Sequence, residues 1–106
     1  MAVTREVVFA PEAQQDLLQL YDFMAADSDP KRARGYTERI VAYCLTLVTF
    51  PERGIRRDDL RPGLRTTSFR RRVTIAFHIT ATTVTIDRIL YRGRNLRPLF
   101  GEEADD

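Results

Sequence analysis

Sixteen arginines, one histidine and one cysteine set the chemistry open to this 106-residue chain. His78 is the single side chain whose ordinary pKa lies near neutrality. Metal-free cleavage of an RNA strand needs a base for the 2′-hydroxyl, an acid for the leaving oxygen and cations at the phosphate. Arg65, Arg70, Arg72, Arg92 and Arg94 are candidates for the cations, and His78 and Tyr91 for proton transfer. Tyr91 would need a large downward pKa shift to act as a base. The set is thin. His78 falls toward the far end of its strand from Arg72, and a lone strand histidine is more often a packed or hydrogen-bonded core residue than a catalyst. Cys44, between Tyr43 and Leu45, reads as core packing. One cysteine and one histidine exclude a disulfide framework and a Cys- or His-rich metal site, and no phosphate loop or dinucleotide fingerprint is present. Neither metal nor cofactor is expected.

Charge is spread unevenly. Residues 53–97 hold twelve arginines against Asp58, Asp59 and Asp87, a net +9 within a chain whose total is +2. Residues 1–52 are net −3, and the tail, with Glu102, Glu103, Asp105 and Asp106, is −4. Arginine's planar fork suits bidentate binding of phosphate or carboxylate. A stretch this basic suits a polyanion or an acidic protein partner; an arginine-rich solvated face is the plainer alternative. With 43% apolar residues, the chain can close one core. We expect one domain over 1–97 and a flexible acidic tail over 98–106. No run approaches the roughly 20 apolar residues of a membrane span, and no secretory apolar run opens the chain. A cytoplasmic protein without membrane contact is expected, in keeping with its single cysteine.

The elements follow from periodicity. Val7-Val8-Phe9 predicts a strand over about 4–9. Pro11 and Glu12 open a helix over about 11–26, with Ala13, Leu17, Leu20, Tyr21 and Met24 on one stripe. Asp29-Pro30 opens a second helix over about 30–49, stopped by Pro51. Gly35 inside it suggests close approach of the first helix. Residues 51–63 read as an Arg-rich loop, followed by strands over Leu64–Phe69, Val73–Thr80 and Thr83–Leu90. The period-two pattern breaks at Arg88-Ile89-Leu90, where apolar residues occupy both faces. The fold class is α+β: an N-terminal strand, a helical hairpin, then a three-stranded antiparallel meander with the helices on one sheet face.

On the other sheet face, the third strand offers Arg72, Thr74, Ala76 and His78. The second offers either Arg65/Thr67/Phe69 or Leu64/Thr66/Ser68/Arg70; parity leaves both open. Thr74 and Ala76 would leave a shallow concavity rimmed by arginines, with Tyr91 or Phe69 available to stack a base. A merely solvated Thr/Arg surface is the competing reading.

Successive landmarks run Phe9-Ala10-Pro11-Glu12-Ala13-x-x-Asp16-Leu17, Asp29-Pro30-x-x-Ala33-x-x-Tyr36, Phe50-Pro51-x-x-Gly54, Asp59-Leu60-Arg61-Pro62-Gly63-Leu64-Arg65 and Thr85-Ile86-Asp87-Arg88-Ile89-Leu90-Tyr91-Arg92-Gly93-Arg94-Asn95. In order and spacing, over residues 7–97, they resemble the RelE/ParE toxin superfamily, most closely its ParE branch. The resemblance implies the toxin of a type II toxin–antitoxin module. It would be neutralised by a ParD-like antitoxin, would inhibit DNA gyrase rather than catalyse a reaction, and would not itself bind DNA sequence-specifically. A ribosome-dependent mRNA endonuclease of the RelE type is the alternative. Tyr91 stands where ParE chains often have histidine, and the tail carries no family motif. The antitoxin is expected to meet Tyr21, Tyr36 and Tyr43 through apolar contacts. Its acidic groups would meet Arg56, Arg57, Arg61, Arg65, Arg70, Arg72 and Arg94.

Overall fold

Two prolines start the helices of the computed structural model, which describes residues 5–91. Helix α1 spans Pro11–Asp27 and helix α2 spans Pro30–Leu45, each with proline in its first turn where an amide donor is not needed. Asp29 caps α2 by accepting from the Arg32 amide at 2.8 Å. The second helix ends earlier than its periodicity suggests. Thr46 Oγ1 donates to the Tyr43 carbonyl at 2.6 Å, and the chain tightens into a 3₁₀ turn over Thr46–Val48.

The strands are β1 (Glu6–Phe9), β2 (Ile55–Arg56), β3 (Arg65–Phe69), β4 (Val73–Ile79) and β5 (Thr83–Tyr91). They form one mixed sheet in the order β1-β5-β4-β3-β2. The expected meander is present as β3–β4–β5, and it is extended at both edges. β1 pairs parallel to β5, and the two residues of β2 pair antiparallel to β3 inside the segment read as loop. Two residues carry no detectable period, so β2 had no sequence signal. Gly54 makes the pairing possible: its φ is +82°, and a Cβ there would stand 2.2 Å from the Thr66 carbonyl oxygen.

The core lies between the sheet and the helices. Val73, Ile75 and Phe77 of β4 meet Val84, Ile86 and Ile89 of β5, with Leu20, Ile40, Cys44 and Leu47 packed over them. The change from even to odd core positions in β5 has a local cause. Ala76 pairs with Arg88 while Phe77 pairs with Ile86, so Asp87 is the extra residue of a β-bulge. The broken alternation in the sequence is this bulge. Parity in β3 is also settled. Thr67 and Phe69 face the helices, and Leu64 faces away, where it packs with Ala76 and Leu60 in a small second cluster.

Gly35 needs another explanation than helix proximity. A Cβ there would meet only the Arg39 guanidinium, at 3.7 Å, an ordinary contact with a flexible side-chain end. The Gly35→Ala variant is therefore expected to gain about 1 kcal/mol in chemical denaturation, since nothing offsets glycine's helix cost. A loss of stability would contradict this placement. Arg92, Arg94 and the acidic tail lie outside the described residues.

Candidate partner-binding surface

Six of the nine arginines over the described residues 53–91 have polar partners within the molecule. Arg56 pairs with Asp58 at 3.0 Å, Arg57 with Asp59 at 2.9 Å and Arg61 with Asp87 at 3.1 Å. Arg88 is held by the buried Asp16 at 2.8 Å. Arg65 does not face a ligand: its Nε and Nη2 donate to the carbonyls of Arg53 and Glu52 at 3.3 and 2.9 Å, tying down the loop before β2. Arg53 donates to Thr46 Oγ1 and lies over the rings of Tyr43 and Phe50. Sequence alone could not sort these cations, because every partner is set by tertiary structure or loop geometry.

Of the nine arginines over residues 53–91, Arg70, Arg71 and Arg72, all exposed at the β3–β4 turn, have neither a carboxylate nor a side-chain hydrogen bond among the described residues. The Arg72 amide donates to the Phe69 carbonyl at 3.1 Å, and Arg70 and Arg71 adopt φ of 53° and 63°. Positive φ at both central residues of a turn favours Asn-Gly, and here the turn lies in the three-residue connection between Phe69 and its β4 partner Val73. Non-glycine residues in the left-handed region cost roughly 1–2 kcal/mol each. The chain therefore bears strain to keep arginine at both positions. Arg70 lies over Phe69, its guanidinium carbon 5.3 Å from the ring centroid. Tyr36 packs edge-on against Phe69 and Tyr91, at 5.9 and 6.5 Å between centroids, at the base of this hairpin. The Tyr36 hydroxyl is buried and has no hydrogen-bond partner. Burial first, and then Tyr91 beside it, push its pKa up, while Arg72 and Arg70 pull it down.

The candidates for proton transfer are not assembled. His78 Nδ1 is 2.7 Å from Asp87 Oδ2, an oxygen that Arg61 also contacts, on the sheet face away from the helices. Tyr91 packs into the core on the helix side and pairs with Val73, five residues along β4 from His78. At a strand rise of about 3.3 Å per residue, roughly 16 Å separates the two sites along the strand. Burial pushes the Cys44 thiol up to about 12, which removes it as a nucleophile. The expected arginine-rimmed concavity is instead a hollow of about 310 Å³ with a mixed polar and apolar lining, formed by Gly54, Ile55, Arg57, Thr66, Ser68 and Thr74 among others. Its one guanidinium is the Arg57 group already bonded to Asp59. Among the described residues no acidic, His or Cys cluster could hold a metal ion, and no helix is long and apolar enough to cross a membrane.

A second surface lies between the helices. An open groove of about 470 Å³ is walled by Leu17, Leu18 and Tyr21 of α1 and Thr37, Glu38 and Val41 of α2, and its lining is mainly apolar. Leu18 is 58% exposed. Of the three tyrosines expected to meet a partner, Tyr21 lines this groove. Tyr36 and Tyr43 instead pack against the sheet, Tyr43 with its hydroxyl 3.1 Å from Thr67 Oγ1. Leu18 and Val41 went unnoticed in the sequence. Their signal was the doubled pairs Leu17-Leu18 and Ile40-Val41, which widen the apolar stripe beyond what one core face needs.

None of the curated proteins matches the chain. A chain of the chromosomal ParDE TA system from P. aeruginosa shares the fold, with a TM-score of 0.76 and 22% identity over 87% of this chain and 100% of that one. The family described as the ParE toxin of the type II toxin–antitoxin system parDE matches residues 7–96. That span takes in both helices and the whole sheet apart from the first residue of β1, and the chain belongs to the ParE toxin family.

Proposed function

We propose that this chain is the toxin of a two-component module, held inactive by a ParD-type antitoxin and acting in the cytoplasm on DNA gyrase. The apolar groove between α1 and α2 is the observation that carries the reading. A monomer gains nothing from leaving Leu18 and the walls of Leu17, Tyr21 and Val41 open to water, whereas an amphipathic helix of a partner would bury them. The separation of His78 from Tyr91 and Arg72 supports a toxin that grips its target over one that cleaves RNA.

The test is direct. Purified toxin added to a gyrase supercoiling reaction is expected to block supercoiling or trap cleaved plasmid, and stoichiometric antitoxin to restore activity. No effect at several-fold excess over gyrase would remove the gyrase target. Cuts at the ribosomal A site in toxin-expressing cells would assign the chain to translation instead.

A further inference from the structure

We propose that the Arg70–Arg72 hairpin tip, with the Tyr36 hydroxyl at its base, is a carboxylate-binding site for an acidic segment of the antitoxin. The inference rests on the antitoxin reading above and adds the polar anchor that the apolar groove lacks. Three observations converge on it. The tip holds three adjacent exposed guanidinium groups with no carboxylate among the described residues, while Arg56, Arg57, Arg61 and Arg88 each have one. Its backbone keeps two arginines in a left-handed conformation that Asn-Gly would adopt without strain. The Tyr36 hydroxyl, on the ring that packs edge-on against Phe69 at the foot of the hairpin, is a buried donor with nothing to accept its proton. A carboxylate entering between the Arg70 and Arg72 forks would accept from guanidinium and phenol together.

The same facts favour an acidic peptide over a nucleic acid. A strand of RNA or DNA needs cations along a track, phosphate after phosphate. Here the other described cations of the sheet and its loops are already bound to aspartates, carbonyls or rings, and Lys31, Arg32, Arg34 and Arg39 stand on α2, so among the described residues the open charge of the sheet is confined to one turn. A point of charge matches one or two acidic side chains.

The experiment titrates the toxin with the full-length antitoxin encoded beside it, at low and high salt. A twelve-nucleotide single-stranded RNA serves as a second probe. The Arg70→Gln/Arg72→Gln variant is expected to bind the antitoxin roughly 30-fold more weakly at low salt and to lose most of the salt dependence. Tyr36→Phe removes only the hydroxyl and is expected to weaken binding about 5-fold. Arg56→Gln, at a pair already made, is expected to stay within about 2-fold of the parent. The Arg70→Asn/Arg71→Gly variant separates function from structure: it is expected to melt at a higher temperature and yet bind more weakly. Unchanged antitoxin affinity in the Gln variant overturns the inference and leaves the groove reading standing. Failure of the parent to bind the antitoxin overturns both. RNA binding that the Gln variant loses, with antitoxin affinity intact, assigns the tip to nucleic acid and overturns the proposal.

Discussion

Replacing Asp16 with Ala is expected to lower the unfolding free energy by about 3–5 kcal/mol, as for other buried ion pairs that lose one member. The carboxylate is 5% exposed, and it accepts from Arg88 Nε at 2.8 Å, Arg88 Nη2 at 3.0 Å and the Ile89 amide at 2.9 Å. These three bonds complete the edge of the sheet. β1 is four residues long and pairs with β5 only from Thr83 to Ile86, and its last rung is the Ala10 amide on the Ile86 carbonyl at 2.9 Å. Beyond that point α1 takes the place of β1 beside β5, and Asp16 accepts the Ile89 amide. The alanine variant leaves a mostly buried guanidinium and a buried amide without an acceptor. Set against the 5–15 kcal/mol of a typical domain, the loss is large. Urea denaturation followed by circular dichroism measures it, and a change under about 1 kcal/mol would refute the account. An Asp16→Leu/Arg88→Met double variant is expected to recover part of the loss, because it removes both charges and leaves only the amide unmatched.

Asp16 also marks the limit of what one sequence discloses. Its spacing with Ala13 and Leu20 places it on the buried stripe of α1, yet its partner lies seventy-two residues away. Features written in local chemistry were legible: the Asp29 cap, the prolines that start both helices, the alternation of β4. The break at Arg88-Ile89-Leu90 was visible as an anomaly, but a bulge depends on the register of the neighbouring strand and shows only once β4 is in place. β2 was invisible because two residues have no period, and Gly54 showed its role only through Thr66. The Phe69–Arg72 turn was located by its flanking strands alone. It contains no Gly, Asn, Asp or Pro, so no turn residue marked it in the sequence. The arginine count suggested a broad cationic platform. Within the described part of that stretch, Arg56, Arg57, Arg61 and Arg88 are paired with aspartates that lie both close in sequence, as at Asp58 and Asp59, and far away, as at Asp16 and Asp87, which leaves the β3–β4 turn as the open part of the platform.

Leu18→Glu is expected to weaken the antitoxin complex by about 2–3 kcal/mol, roughly 30- to 150-fold, with little change in the stability of the toxin. The two halves of this expectation have separate causes. Leu18 is 58% exposed, so the isolated fold draws little from it, and a glutamate there meets water. In a complex the same position lies in the apolar wall formed with Leu17, Tyr21 and Val41. A carboxylate would then have to be desolvated against apolar side chains and near Glu38, which lines the facing helix. Phe50 supplies the control. It is 64% exposed and borders a different surface, between Thr49 and Arg53, so Phe50→Glu is expected to leave affinity within about 2-fold. Calorimetric titration with the antitoxin distinguishes the two variants. In cells, a Leu18→Glu toxin that keeps its activity is expected to arrest growth even when the antitoxin is co-expressed. Equal weakening by both substitutions would mean that general surface charge governs the complex. Weakening by Phe50→Glu alone would move the interface to the 3₁₀ turn and its loop, away from the helical hairpin.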